Sequence, residues 1–321
     1  MLDVVALGEL LVDFAPVGTD GDGYPTVAAH PGGAPCNFLA ALTKYGAKTA
    51  FYGKVGDDAF GRLLRGTLEK AGIGTRGLVT DASVFTTLAF VTLSSTGDRS
   101  FSFARKPGAD TCLRPEELDL SLIDEARIFH FGTLSLTDEP ARSATVAAVE
   151  YARSHGKLIT FDPNWRQPLW SSPETAKEQI LWGLRRCDVV KISDNEVEFL
   201  WGCTPQEGAQ RVLDLGAKLV FVTCGPEGCL FQNAHASGHV PSLAGIQVVD
   251  TTGAGDIFGG STVWKLLQTG KLEAPDTLTE AEMRDAAAFG CTAAGLSATR
   301  FGGISSIPTL EEVLDRMQRG Q

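Results

Sequence analysis

The chain has 321 residues, 43% of them hydrophobic and 21% charged, with a formal net charge of −11. That is ordinary globular composition, enough for one large α/β domain or two smaller ones. The acidic balance argues against sequence-independent nucleic-acid binding, which runs on basic surface, and no apolar run approaches the ~18–20 residues that span a bilayer. A small anionic ligand is still compatible with this charge, provided that its site builds a local positive potential. Seven cysteines, an odd number without C-x-x-C spacing, suggest neither a disulfide framework nor a zinc site and read as small buried hydrophobes.

The N-terminal "MLDVVALGELLVDF" carries Asp3, Glu9 and Asp13 but no Lys or Arg. It reads as a strand rather than a secretory leader, and a cytosolic protein is expected. Further on, "TAFYGKV", "ARIFHFG", "KLITFDP", "CDVVKIS" and "KLVFVTCG" read as buried strands. "NFLAALTKYG", "DDAFGRLLRGTLEKAG", "EPARSATVAAVEYARSHG", "PETAKEQILWGLRR" and "TPQEGAQRVLDLG" show apolar residues at helical spacing, and most end at Gly. This alternation predicts a parallel sheet with helices on both faces. Residues 14–32 and 84–105 break the rhythm with β-type alternation and no helix. The second stretch reads as a hairpin turning at Ser95–Asp98, with Phe101 and Phe103 alternating afterwards. Both stretches are expected to form a small sheet standing as a lid over the strand ends of a single domain.

Ligands of open α/β sheets bind at the carboxyl ends of the strands. Polar clusters fall at those ends here: Asp13, Gly32–Asn37, Asp162–Arg166, Ser193–Glu196, Thr223–Gly228 and Asp250–Asp256. In "DTTGAGDIF", glycines lead into a helix whose first N–H groups lie unpaired at the positive end of the helix dipole, which makes an anion site. A carboxylate there repels a phosphate, but makes sense if Asp256 takes the proton of a hydroxyl that attacks it. The stretch alone leaves this reading open beside a plain helix cap at Asp256.

No Walker A loop, G-x-G-x-x-G after the first strand, G-x-S-x-G or H-E-x-x-H is present. In "PGGAPCNF", bare backbone before a helix start lets Asn37 meet a polar ligand, unless the glycines only form a turn. In "FDPNWRQPLW", two prolines fix a loop projecting Arg166 toward a ligand or toward solvent. The acids of "SDNEVEF" are helix-dipole partners, or Glu196 orders hydrated Mg²⁺. "VTCGPEGC" is a hairpin turn by default, or a loop beside a nucleotide. His235 and His239, four apart in a non-helical "HASGH", read as surface residues.

Taken in order, "GELLVDF", "GGAPCN", "DPNWRQPLW", "SDNEVEF", "VTCGPEG", "DTTGAGDIF" and "TRFGGISSIPT" resemble the PfkB, or ribokinase-like, family of sugar kinases over nearly the whole chain. The resemblance implies a Rossmann-like α/β fold with a β-sheet lid and ATP-dependent phosphorylation of a sugar hydroxyl. It implies that Asp256 is the catalytic base, with Gly253, Ala254 and Gly255 as the anion hole. Asp13, Gly33 and Asn37 would hold sugar hydroxyls, with Arg105 and Arg166 near the substrate. Thr223, Gly225 and Gly228 fall on the ATP side, and Asp250 with Thr252 at a monovalent-cation site suited to K⁺. Two departures stand out. Ser193 replaces a frequent Asn ahead of Glu196, and Cys291 replaces a frequent Asn near the adenine. "GGAPCN", "FHFGTLSL" and "DPNWRQPLW" look most like the fructokinases of the family, which implies fructose as acceptor.

Ketodeoxygluconate and aminoimidazole riboside are rival acceptors within that class. A sugar- or nucleotide-binding regulator without catalysis is disfavoured, because such a module gains nothing from the carboxylate of Asp256. A dinucleotide oxidoreductase is disfavoured by the missing glycine fingerprint. Exposed strands of the small sheet could pair across a homodimer.

Overall fold

The computed structural model describes residues 1–93 and 99–319. Strand β1 (Leu2–Leu7) leads into β2 (Leu11–Thr19) and β3 (Pro25–Gly32). Then come α1 (Ala34–Lys44), β4 (Thr49–Gly56), α2 (Ala59–Ala71), β5 (Gly74–Asp81) and the hairpin β6 (Leu88–Leu93) and β7 (Arg99–Ala104). Alternation follows through α3 (Ser121–Glu125), β8 (Ala126–Gly132), α4 (Ala141–Ser154), β9 (Leu158–Asp162), α5 (Pro173–Leu184) and β10 (Val189–Ser193). Next are α6 (Asp194–Trp201), α7 (Pro205–Asp214), β11 (Leu219–Thr223), β12 (Cys229–Asn233) and β13 (Ser237–Val240). The last three elements are α8 (Ala254–Leu267), α9 (Glu280–Ser297) and α10 (Leu310–Gln318).

The large sheet has the order β13-β12-β11-β10-β9-β8-β1-β4-β5 and the small one β3-β2-β6-β7. The large sheet is parallel except at β11/β12 and β12/β13. Its strands read as continuous apolar runs because both faces are buried. Val4 and Ala6 face one core with α1, α2, α8, α9 and α10, while Val5 and Leu7 face the other with α3 to α7. From β1 the chain moves to β4 on one side and later to β8 on the other, so the strand order reverses between β1 and β8. Crevices at such a reversal, beyond the carboxyl strand ends, hold the ligands of this architecture.

The expected single strand over "VVALGELLVDF" is two strands in different sheets, β1 and β2, separated by Gly8–Leu10. An unbroken apolar run records burial and carries no mark of a change of sheet. The 84–105 hairpin is present, pairing Leu88 with Ala104 through Leu93 with Arg99. Its expected turn at Ser95–Asp98 lies outside the described residues. "VTCGPEGC" is the hairpin turn of its default reading, joining antiparallel β11 and β12. All seven cysteines are free. Among the described residues, no helix is long and apolar enough to cross a membrane.

Candidate active site

The stretch "DTTGAGD" folds around two backbone devices. Asp250 accepts the Thr252 N–H at 2.9 Å and its hydroxyl at 2.7 Å, and reaches across to the Gly302 N–H at 3.0 Å. Gly253 then caps α8 in a left-handed conformation, φ 73°. A side chain there is strained by φ, and its Cβ would stand 3.0 Å from Asn37 Nδ2. The helix cap that the stretch alone left open at Asp256 is therefore not realised. Asp256 is the third residue of α8, so its side chain leaves the first turn beside the amides instead of closing them. Of those amides, Ala254 N–H turns back to the Thr251 carbonyl at 3.2 Å. The first turn of a helix leaves its other N–H groups without partners in the helix.

Small residues bring the partner of Asp256 to it. A Cβ on Gly260 of α8 would collide with the Phe38 carbonyl of α1, and one on Gly290 of α9 would collide with Thr262 of α8. Helix α8 thus lies in backbone contact with α1 and leaves no room on α9 for a side chain at Gly290, and Asn37 Nδ2 donates to Asp256 Oδ2 at 2.9 Å. Asn37 Oδ1 is buried against Gly303 without a partner. Asn164 approaches the other oxygen of Asp256, its Nδ2 3.4 Å away. Asn164 is the one non-glycine residue with positive φ among the described residues, at 45°. Asn tolerates that conformation better than most side chains. Burial pushes the Asp256 carboxyl up from its ordinary value, while Asn37, Lys191 and Arg166 pull it down.

Further acids crowd the same floor. Glu9 accepts the Ala34 N–H at 2.6 Å at the start of α1, and burial raises its carboxyl to about 7. Asp13 on β2 leans over Gly32, where any Cβ would collide with its carboxylate. Burial raises it to about 6 against the pull of Arg166, with Asp256 and Asp250 adding to the rise. At the end of β9, Asp162 meets Lys191 of β10 at 3.1 Å. Burial pushes Asp162 up against the pull of Lys191. Burial alone would lower the Lys191 ammonium, but Asp162, Glu196 and Asp256 hold it above its ordinary value.

Glu196 is spent on backbone. It completes a capping box with Ser193 at the start of α6, accepting the Ser193 N–H and the Trp165 N–H at 2.7 Å each. The helix-dipole reading of this acid is thus realised, and its oxygens keep lone pairs for water. Ser193 pairs with Thr223 across β10/β11, and Cys291 is buried on α9 nearby, where Cys224 raises its thiol after burial itself. Gly225 and Gly228 shape the β11–β12 turn with positive φ, and a Cβ on Gly228 would strike β13. Gly33 likewise has a structural cause: at φ 126°, a Cβ would collide with the Glu9 carbonyl.

The arginines separate. Arg166 is exposed at the rim and near enough to lower the carboxyls of both Asp13 and Asp256. Arg105 is buried, and its guanidinium is committed to Asp110, Thr137 and the Leu134 carbonyl at 2.8 Å each. Sequence reasoning passed over Glu9, Asn164, Asp162 as a charged partner, and Lys191. A lysine inside the apolar "VVKIS" was the readable signal, since a buried strand carries a charge only where a partner meets it.

A helix N-terminus with a buried carboxylate on its first turn, at the carboxyl edge of a doubly wound sheet and beneath a small second sheet, defines a phosphoryl-transfer architecture. The family model of pfkB carbohydrate kinases matches residues 1–310. The chain belongs to that family. It is 40% identical to fructokinase-2 of Solanum lycopersicum over 99% of this chain and 96% of that protein. Fructokinase from Xylella fastidiosa with bound ATP superposes with a TM-score of 0.90 at 29% identity, covering 99% of both chains. Fructokinase from Vibrio cholerae, in a form with fructose, ADP and calcium, gives 0.84 at 30% identity over 98% of both chains. A double mutant of that protein was crystallised with fructose, ADP and potassium.

Proposed function

We infer that this protein is an ATP-dependent fructokinase, a single catalytic domain that transfers the terminal phosphate of ATP to fructose and forms fructose 6-phosphate. The observation that carries the reading is Asp256, a buried carboxylate on the first turn of α8, held by Asn37 beside the amides of the glycine turn. Burial raises its carboxyl, which brings a carboxylate closer to the basicity that a hydroxyl proton requires. The turn of Gly253, Ala254 and Gly255 receives the phosphate's charge through the amides of Gly253 and Gly255 and the dipole of α8, while the Ala254 N–H, turned to the Thr251 carbonyl, shapes the turn. Asp13 and Asn37, with the backbone freed by Gly33, meet sugar hydroxyls, and Asn37 also fixes the base. Arg166 reaches the acceptor from the rim. Arg105, with its donors spent, supports the substrate side by bracing Asp110 and residues 134–137.

Thr223, Gly225 and Gly228, with Ser193 and Cys291, form the nucleotide side. Among the described residues no group of three or more His, Cys, Asp or Glu could hold a metal directly. That suits Mg²⁺ carried on the phosphates and reached by Glu196 through water. Bound there, the ion would neutralise phosphate charge. Asp250 and Thr252, which tie the turn to Gly302, are the residues we assign to K⁺. We place the enzyme in the cytoplasm. The exposed Val17 and Val27 of the small sheet, with Tyr24 in the connection between β2 and β3, are the surface through which a homodimer would form.

The test is ADP formation across fructose, ribose, ketodeoxygluconate and aminoimidazole riboside. Fructose should give the highest kcat/KM. The rim position of Arg166 favours a second reading, ketodeoxygluconate, whose carboxylate suits an arginine fork. A preference for that acid, lost on Arg166→Ala, would overturn the sugar and leave the kinase standing.

A further inference from the structure

Glu9 is a buried carboxylate with no part in the transfer proposed for Asp256. It stands in Gly8–Leu10, the junction where the chain leaves β1 of the large sheet for β2 of the small one. Three fits lock this junction to the start of α1. A Cβ on Gly8 would collide with Pro35, and one on Gly33 would collide with the Glu9 carbonyl. Between them, the Glu9 side chain accepts the Ala34 N–H at 2.6 Å.

A short line of hydrogen bonds runs from there to the base. The Gly33 carbonyl accepts the Asn37 N–H at 3.0 Å, and Asn37 Nδ2 donates to Asp256 Oδ2 at 2.9 Å. The other end of the Asn37 amide is not held. Its Oδ1 has no partner among the described residues, so the backbone of α1 decides where the side chain points.

Helix capping alone does not account for Glu9. Helices α2, α5, α6, α7, α9 and α10 are each capped by their own Asp, Ser or Thr. In α1 the cap position is Gly33, which has no side chain to offer, and the acceptor comes from 25 positions away. It also carries a charge. Burial raises the Glu9 carboxyl, so its ionised form works against the folded state. A buried acid on this contact is a poor device for stability and a good one for fixing a distance.

We propose that Glu9 is a positioning residue of phosphoryl transfer. By holding the first turn of α1 against the β1–β2 junction, it sets Asn37 at hydrogen-bond distance from Asp256 and so fixes the aim of the base. The inference rests on the kinase reading and adds to it a residue that acts through α1.

The experiment compares kcat and the KM for ATP in wild type, Glu9→Gln, Glu9→Leu, Glu9→Asp, Asn37→Ala and the Glu9→Leu/Asn37→Ala double variant. Gln keeps an acceptor without the charge, Leu removes both, and Asp keeps the charge one methylene short. Misplacing a catalytic group by about 1 Å costs on the order of 10²-fold, so Glu9→Leu and Glu9→Asp should each lose about tenfold to a hundredfold in kcat. Their KM for ATP should stay within about threefold of wild type, since the loss is confined to the aim of the base. Glu9→Gln should recover most of kcat. The double variant should be no slower than Asn37→Ala, because residues that act through one contact do not add. If Glu9→Leu does not melt cooperatively, Glu9→Asp decides the same question. Folded Glu9→Leu or Glu9→Asp protein with kcat within about threefold of wild type would overturn the proposal. So would a Glu9→Gln protein as slow as Glu9→Leu, or losses that multiply in the double variant, which mark independent roles. Wild type that forms no ADP with any sugar would overturn the kinase reading and this inference with it.

Discussion

Replacing Glu9 by Gln should stabilise the protein, and the gain should depend on pH. The Gln carbonyl can still accept the Ala34 N–H that Glu9 now receives at 2.6 Å. What disappears is the charge. Burial raises the Glu9 carboxyl from 4.5 to about 7. A group whose folded value lies above its unfolded value ionises at a cost to the folded state. That cost is absent below about pH 4.5 and complete above about pH 7. Linkage puts it at about 3 kcal/mol at pH 8 and about 1 kcal/mol at pH 5. For a chain of this length, scanning calorimetry should show Glu9→Gln melting about 4 °C above wild type at pH 8 and about 1 °C above it at pH 5. Equal gains at the two pH values, or a loss at pH 8, would refute the argument that an ionised Glu9 destabilises the folded protein.

Asp256→Asn keeps the size of the side chain and an acceptor for Asn37, so both substrates should still bind by calorimetry while kcat falls by about 10²–10⁴. The raised carboxyl of Asp256 means that wild-type turnover should decline as pH falls through its folded value; residual turnover of the variant should lack that step. Gly255→Val should abolish turnover in a protein with an unchanged circular dichroism spectrum, because its side chain would enter the space between α8 and the Lys191 ammonium. Activity near the wild-type level in a folded Gly255→Val protein would place the phosphate elsewhere. Turnover should rise when K⁺ replaces tetramethylammonium at constant ionic strength, and a flat response would remove the cation role from Asp250 and Thr252.

The candidate clusters were legible because glycine, proline and acid at strand ends mark where backbone turns and can face a ligand. That pattern singles out Asp13, Asn37, Arg166 and Asp256, which the structure brings together. The partnerships were not legible. Asn37 and Asp256 are 219 positions apart, and their meeting depends on Gly260 letting α8 touch α1, which no local pattern states. Asn164 sat unread between Pro163 and Trp165 because only its φ reveals why it is Asn. Glu9 passed as one polar residue within an apolar strand, since a change of sheet leaves no periodicity of its own. Strands β5 and β13 were missed for a simpler reason. They form the two edges of the large sheet, where exposed residues dilute the apolar run.

The small sheet is joined to the rest of the molecule along one border. Leu11 pairs with Gly32 and Leu88 with Ala104 at that border, while β2 and β3 run out to the turn between Thr19 and Pro25. Mechanically this is a cantilever. Nine residues of β2 reach about 30 Å at the usual rise of a strand. A tilt of about 10° at the clamped border would carry the tip through about 5 Å, yet shift Asp13, two residues beyond Leu11, by only about 1 Å. Opening such a plate would widen the entrance while the Asp13 carboxylate stayed almost where it was. Access to the site and geometry within it can then be altered separately, by substitutions at opposite ends of the same strand.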